Sequence, residues 1–457
     1  MAAEMDESRQ ALRFAAERAD AYLTELRGRR VFPSDNALAA LTELEGPLPD
    51  AGHAAIETLE LLDRVGSAAT VASTGPRYFG FVTGGVLPPA LGAAVLSSTW
   101  DQNAALAAMS PLAARLHGVT NRWTNELLNL GPDAKISFVT GATMANATAL
   151  IAARDQVLRQ VGWNVTADGL FGAPPIRVLV GEQAHSTVFK ALGMIGLGRS
   201  RVERLEVDDQ GAIRADALPD YDGTPTILCA QAGEVNTGAF DPFGALADWC
   251  SGNNAWLHID GAFGLWVAAS RKYAHLVNGV ERADSWATDA HKWLNVTYDC
   301  GLAIVADAAT LYNSMTANAA YLPTGAADPD AMMMSPQSSQ RARSIEYWAA
   351  LHSLGRTGLA DLIERCCRHA RRFADGLAKG GAQIANEVVL NQVLVRFGDS
   401  ERTAAVIVKV QSDGRTWCGP TEWQGATAMR ISTSSWATTD EDVETAIDAI
   451  LEAHRSV

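Results

Sequence analysis

Between Arg77 and Val305 the chain repeats one pattern: a short apolar run, then a stretch long enough for a helix. The runs are Lys135–Thr140, Arg177–Val180, Thr226–Gln231, Trp256–Asp260 and Leu302–Val305. Each is apolar along most of its length, as strands buried on both faces must be. Segments such as Thr143–Val161 are long enough to be crossover helices. This alternation predicts an α/β domain with a mostly parallel central sheet. In such sheets the chemistry collects at the carboxyl ends of the strands.

Residues 1–75 read as a helical segment, with one helix over Glu4–Arg27 and a second near His53–Thr70, separated by Phe32-Pro33-Ser34 and Pro47–Pro49. Without a sheet of its own, this segment needs another surface to pack on, and a partner subunit is one candidate. The α/β domain is expected over 76–343, including a long Ala-, Ser- and Met-rich loop at 314–340. A small α+β domain is expected over 344–457: a long helix from Ser344, a sheet built from Gln392–Phe397, Ala404–Val410 and Ala426–Ser432, and a closing helix capped by Thr439.

Charge narrows the partners. The 52 acidic and 37 basic residues leave a net charge of −15, which disfavours nucleic acid and anionic membrane. The six cysteines show no C-x-x-C spacing, so we expect reduced core thiols in a cytoplasmic protein and no metal site. The N-terminus lacks an apolar targeting core, and the stretch Val86–Ser98 is too short and too broken to span a bilayer.

The chemistry-bearing residues fall at predicted strand ends. Trp256–Asp260 ends a buried strand on an acid, which needs a charged or hydrogen-bonded partner. Lys292 follows His291 and precedes the apolar Trp293-Leu294, a poor place for a solvated lysine. A lysine able to form a Schiff base and a carboxylate able to hold a pyridinium proton are the pair that pyridoxal 5′-phosphate requires. Gly141, Ala142 and Thr143 follow the first strand and open a helix, as a phosphate cradle would. His185 begins the helix after another strand.

Together these residues resemble the group II pyridoxal-dependent amino-acid decarboxylases, which include the aromatic-L-amino-acid, glutamate, histidine and tyrosine enzymes. The strongest blocks run from Leu276 to Ser285 and from His291 to Leu294, with Asp299-Cys300 after them. The resemblance implies a fold-type I homodimer with its active site at the interface. It implies Lys292 as the Schiff-base lysine, Asp260 under the ring nitrogen, and Ala262 and His185 on opposite ring faces. Ala142, Thr143 and His291 also fall in the cofactor site. Tyr321, in the long loop, would be the proton donor once CO₂ leaves, with His185 assisting, and the loop would shut water out.

Three departures stand out. Asp289-Ala290 replaces an Asn-Pro pair, and an acid there would repel a phosphate unless it points away. The family's Thr-Thr run is replaced by Gly233–Gly238, and Gly261 replaces an alanine. The resemblance places substrate beside Phe81, Val82 and Thr83, and beside Asn103 and Ala105 of a neighbouring subunit. No basic residue in these segments would pair with a distal carboxylate, so aromatic or apolar L-amino acids are favoured. Arg430 is expected in a structural ion pair. An aminotransferase, an aldolase, an oxygen-using aldehyde synthase and a non-catalytic binding protein remain the rivals.

Overall fold

The computed structural model describes residues 2–316 and 330–457, so Tyr321 and the centre of the long loop lie outside the described residues. A seven-stranded sheet forms the centre. Its strands are β1 (Lys135–Val139), β2 (Arg177–Gly181), β3 (Glu203–Leu205), β4 (Thr226–Gln231), β5 (Trp256–Asp260), β6 (Ser285–Asp289) and β7 (Gly301–Val305). They lie in the order β1-β7-β6-β5-β4-β2-β3. Only β7 is antiparallel to its neighbours, so the other six strands point the same way. Every residue of β4, β5, β6 and β7 is buried. That explains both the apolar runs and the parallel architecture that the alternation predicts.

β6 has no counterpart among the expected strands. Its sequence, Ser-Trp-Ala-Thr-Asp, shows neither a continuous apolar run nor alternation, yet it lies inside the sheet between β5 and β7. Its side chains are small or carry internal hydrogen bonds, as when Ser285 Oγ accepts from Trp256 Nε1 at 2.8 Å.

A second, antiparallel sheet contains β8 (Gln383–Ile384), β9 (Gln392–Arg396), β10 (Gly419–Trp423) and β11 (Ala426–Ser432), in the order β10-β11-β9-β8. One expected strand is corrected here. Ala404–Val410 lies within a helix, Ser400–Asp413. Its buried residues, Thr403, Val406, Ile407 and Val410, recur at helical rather than strand spacing. Asp399 caps the start by accepting from Arg402 N at 2.8 Å, and Gly414 ends it at φ 81°. Helices Ser344–Lys379, Ser400–Asp413 and Asp440–Ser456 share one apolar core with this sheet. Thr439 caps the last of them as expected.

The N-terminal helix Ala2–Glu25 packs along Ala55–Leu62, to whose end Arg18–Asp63 joins it at 2.6 Å, and just beyond it Arg27–Asp442 at 3.1 Å ties the segment to the body. All six cysteines are buried and free, and Cys366 and Cys367 sit in the main core. Among the described residues no helix is long and apolar enough to cross a membrane.

Candidate active site

The segments that follow β1 and β2 and the carboxyl end of β6 meet at one cavity of about 290 Å³. Thr140–Met144, His185, Thr187, Asp289, His291 and Lys292 line it. Residues far apart in sequence are therefore gathered where a parallel sheet leaves backbone dipoles and free loops.

Lys292 sits in the turn joining β6 to β7. Trp293, fully buried beside it, anchors that turn, and truncating a buried tryptophan costs about 3–5 kcal/mol. Asn295 then clamps the turn to two other segments. Its side chain donates to Trp293 O at 2.7 Å and Ser434 O at 2.9 Å, and accepts from Trp436 N at 2.9 Å. Leu87 N donates to Asn295 O at 2.8 Å, and a Cβ on Gly84 would lie 1.9 Å from Lys292 O. The segment carrying Phe81–Thr83 is thus pressed directly onto the lysine's backbone, and only glycine fits at the contact.

Asp260 ends β5 at 5% exposure. Its Oδ1 accepts from Ala262 N at 3.2 Å and its Oδ2 from Asn146 Nδ2 at 3.1 Å. Asn146 belongs to the helix Ala142–Gln160, and its Oδ1 lies 2.8 Å from His258 Nε2, while His258 Nδ1 lies 2.9 Å from Ser285 Oγ. This buried relay fixes the direction of the carboxylate, as a satisfied polar network does. Asn146 and His258 were not singled out in the sequence. The Gly233–Gly238 stretch does not enter the relay. There Glu234 Oε2 accepts from Asn236 N at 2.6 Å and Thr237 N at 2.7 Å, closing the turn on itself.

Burial holds the His258 imidazole down at about 4, against an ordinary 6.5. The unfolded chain therefore takes up this proton before the folded one does, and stability falls as pH drops from 6.5 toward 4. Buried Asp241 and Asp284, pushed up to about 7 and about 6, act with the opposite sign over an overlapping range. The histidine's share is thus read against His258→Asn. Relative to that variant, the chain should lose on the order of 3 kcal/mol at most between pH 7 and 4, as measured by urea unfolding.

His185 caps the helix Ser186–Met194, where its Nδ1 lies 2.8 Å from Thr187 Oγ1. Its backbone N donates to Gln231 Oε1 at 3.0 Å. Burial lowers its pKa, with Lys292 and Arg430 adding to the effect and Asp260 and Asp289 opposing it, so the ring is neutral near pH 7. His291 Nδ1 accepts from Cys300 N at 3.2 Å, which turns Nε2 toward Asp289. Arg430 donates to Val235 O at 3.4 Å; burial lowers its pKa and the nearby Glu234 opposes that.

The helix Ala142–Gln160 starts at Gly141 without a side-chain cap. Its first backbone N–H groups open onto the cavity beside the Thr143 hydroxyl, and that is an anion site by construction. An anion cradle, an amine on Lys292 and a doubly oriented carboxylate on Asp260 together suit pyridoxal phosphate. Asp289, however, does not point away: its side chain is 3% exposed, its Oδ2 lies 3.4 Å from Lys292 Nζ, and its Oδ1 has no hydrogen-bond partner.

The expected substrate residues divide. Phe81 and Val82 both adopt positive φ, 53° and 57°, which is strained for non-glycine residues. Phe81 is 63% exposed and stacks on Trp417 at 5.3 Å, whereas Val82 is buried in the main core. Tyr298, absent from the expected set, is 61% exposed and stacks on His291 at 4.2 Å. Asn103 and Ala105 do not line this chain's cavity. Asn103 Oδ1 accepts from Gln340 N at 3.2 Å, and Ala105 O accepts from Met332 N at 3.1 Å, pinning the chain where it returns from the long loop.

A family model described as the pyridoxal-dependent decarboxylase conserved domain matches residues 65–397. Tryptophan decarboxylase 1 of Oryza sativa subsp. japonica is 29% identical over 348 residues, which cover 70% of this chain and 66% of that protein, just under two thirds of its length. The aromatic-L-amino-acid decarboxylase of Bacillus atrophaeus is 24% identical over 450 residues, 92% of this chain and 90% of that protein. The crystal structure of Oryza sativa TDC with PLP and tryptamine superposes with a TM-score of 0.89 at 22% identity, covering 99% of this chain and 98% of that one. The likeness bears out the α/β architecture with a mostly parallel sheet that the alternating pattern predicts and the fold type I that the resemblance implies.

Proposed function

This chain belongs to the pyridoxal-dependent decarboxylase family, and from that premise we propose that it converts an aromatic L-amino acid to the corresponding amine and CO₂. The observation that carries the substrate class is the pair of exposed rings, Phe81 and Tyr298, presented beside the Lys292 turn. Exposed aromatic faces held by stacking offer a flat apolar side chain both area and favourable ring geometry. The relatives named for tryptophan and aromatic substrates agree with that choice.

Pyridoxal phosphate, when bound, supplies the electron sink that accepts the bonding pair of the departing carboxylate. The chain's residues hold and orient. Lys292 Nζ would hold the cofactor covalently and yield to the substrate amine. Asp260 would keep a proton on the ring nitrogen, its direction set by Asn146 and Ala262. The N–H groups at Ala142 and Thr143, with the Thr143 hydroxyl, would hold the phosphate. His185 would cover one ring face and Ala262 the other, with His291 at the edge. Thr83 would orient the substrate ring, and Val82 would back that wall from the core. Tyr321 is assigned delivery of the proton that replaces the carboxylate at Cα, with neutral His185 assisting.

The active form is assigned as a cytoplasmic homodimer. Leu12, Leu23 and Leu62, at 46%, 46% and 55% exposure on the N-terminal helices, leave an apolar face open. Asn103 and Ala105 would then border the partner subunit's cavity. The test is a panel of L-amino acids assayed for CO₂, amine, peroxide and keto-acid, on protein whose mass in solution is measured by light scattering. Tryptophan, tyrosine or phenylalanine should exceed leucine and glutamate in kcat/KM by at least about tenfold. Twice the chain mass is expected. Preference for glutamate would overturn the substrate class, and peroxide in step with CO₂ would indicate aldehyde synthesis.

A further inference from the structure

Among the described residues, Asp289 is the one acid that lines the cavity beside the anion cradle. It ends β6, and its backbone is fixed on both sides: its N donates to Ala262 O at 2.9 Å, and its O accepts from Trp266 Nε1 at 3.1 Å. The side chain lies between Gly141 and Lys292 at the cavity wall. A Cβ built on Gly141 would lie 3.5 Å from Asp289 Oδ1, and Gly141 itself is packed against Gly301. Oδ1 is buried without a hydrogen-bond partner, while Oδ2 faces Lys292 Nζ at 3.4 Å. Such an unsatisfied oxygen is costly unless something else fills the cavity with a matching donor or shares a proton with it.

The charged and titratable groups around it come from several elements. Lys292 and His291 lie on its own turn, at 3.4 Å and 3.7 Å. His185 at the end of β2, Tyr298 in the β6–β7 connection and Cys300 before β7 also feel its charge. Among the described residues, Lys292 is the only permanent cation in direct contact. Its charge is committed to the cofactor once that binds, and the histidines are held neutral by burial. A phosphate at the helix N-terminus would therefore face an uncompensated carboxylate.

We propose that Asp289 couples cofactor binding to proton uptake: its carboxyl gains one proton from solvent when the phosphate arrives and donates it in a hydrogen bond to that anion. The chain then holds its cofactor more tightly at low pH than at high pH. It also holds it less tightly at alkaline pH than it would with asparagine at this position. No bond other than O–H forms or breaks, and the buffer supplies the proton. The inference rests on the cavity being the pyridoxal phosphate site.

The probe is pyridoxal 5′-phosphate, which engages Lys292 as the cofactor does; the protons exchanged on Schiff-base formation are common to the chain and its variants and cancel in the comparison. Its binding to the cofactor-stripped full chain is followed by calorimetry at pH 8 in two buffers of different ionisation enthalpy, with Asp289→Asn and Asp289→Ser alongside. The chain should take up about one more proton per site than Asp289→Asn. The variant should bind at least about tenfold more tightly at pH 8, with the gap closing toward pH 6. Asp289→Ser, which has no titrating group, should match the asparagine variant in proton uptake. Should one variant fail to fold, the other carries the comparison. Equal proton uptake by the chain and the variants would overturn the proposal while leaving the cofactor site intact. Absence of binding in the chain and both variants would instead overturn the site itself.

Discussion

Lys292→Ala should abolish decarboxylation, a loss of about a thousandfold or more, and remove the visible absorbance of the bound cofactor. The loss follows from geometry. Among the described residues Lys292 is the one amine lining the cavity, and its backbone is locked by Trp293, Asn295 and the close approach of Gly84. A free amine cannot be supplied from elsewhere in the site without moving that turn. The alanine variant also strands the buried Asp289 carboxylate, since Lys292 Nζ is its ion-pair partner at 3.4 Å. Lys292→Arg separates the two effects: it keeps the cation, cannot form the Schiff base, and should be as inactive as alanine but more stable. Thermal unfolding beside the activity assay checks both parts.

Asp260→Asn should lower kcat by about a hundredfold to a thousandfold, with a smaller change in KM. The variant is isosteric, so β5 and its neighbours should be unmoved. Removing the charge leaves the ring nitrogen without a carboxylate to hold its proton, which weakens the electron sink at the step where it is needed. A second cost is local. Asp260 accepts from both Asn146 and Ala262, and an amide has only one oxygen to offer them. One buried donor loses its acceptor, a penalty of about 1–3 kcal/mol that should register in urea unfolding. Asn146→Ala, which removes only the orienting donor, should retain far more activity than Asp260→Asn. Equal losses in the two would mean that orientation, not charge, is what Asp260 supplies.

The framework of this site is legible in the sequence because each part obeys a local rule. Asp260 is an acid at the end of an apolar run, Gly141–Thr143 is a small-residue opening to a helix, and Lys292 is a lysine inside an apolar segment. The relay behind Asp260 was not legible. Asn146 sits in an alanine-rich helix where asparagine is unremarkable, and its partners Asp260 and His258 lie 114 and 112 residues away. Only the sheet order brings them together. β6 is not legible as a strand because a central strand of small, hydrogen-bonded residues imitates a loop. Ala404–Val410 misled in the opposite direction. Its β-branched residues favour a strand locally, while the Asp399 cap and the spacing of Thr403, Val406 and Val410 record a helix. The departures from the family were visible as letters, but their consequences were not. That Asp289 points into the cavity follows from packing against Gly141, and the positive φ of Phe81 and Val82 from tertiary contacts alone.

The central claim is that Lys292 carries the cofactor. Borohydride reduction of the holoenzyme fixes the cofactor to its lysine, and peptide mass spectrometry then locates it. We expect a single phosphopyridoxyl group on the peptide containing His291-Lys292-Trp293, absent from Lys292→Arg. Modification of another lysine, such as Lys190 or Lys272, with Lys292 unmodified would contradict the account.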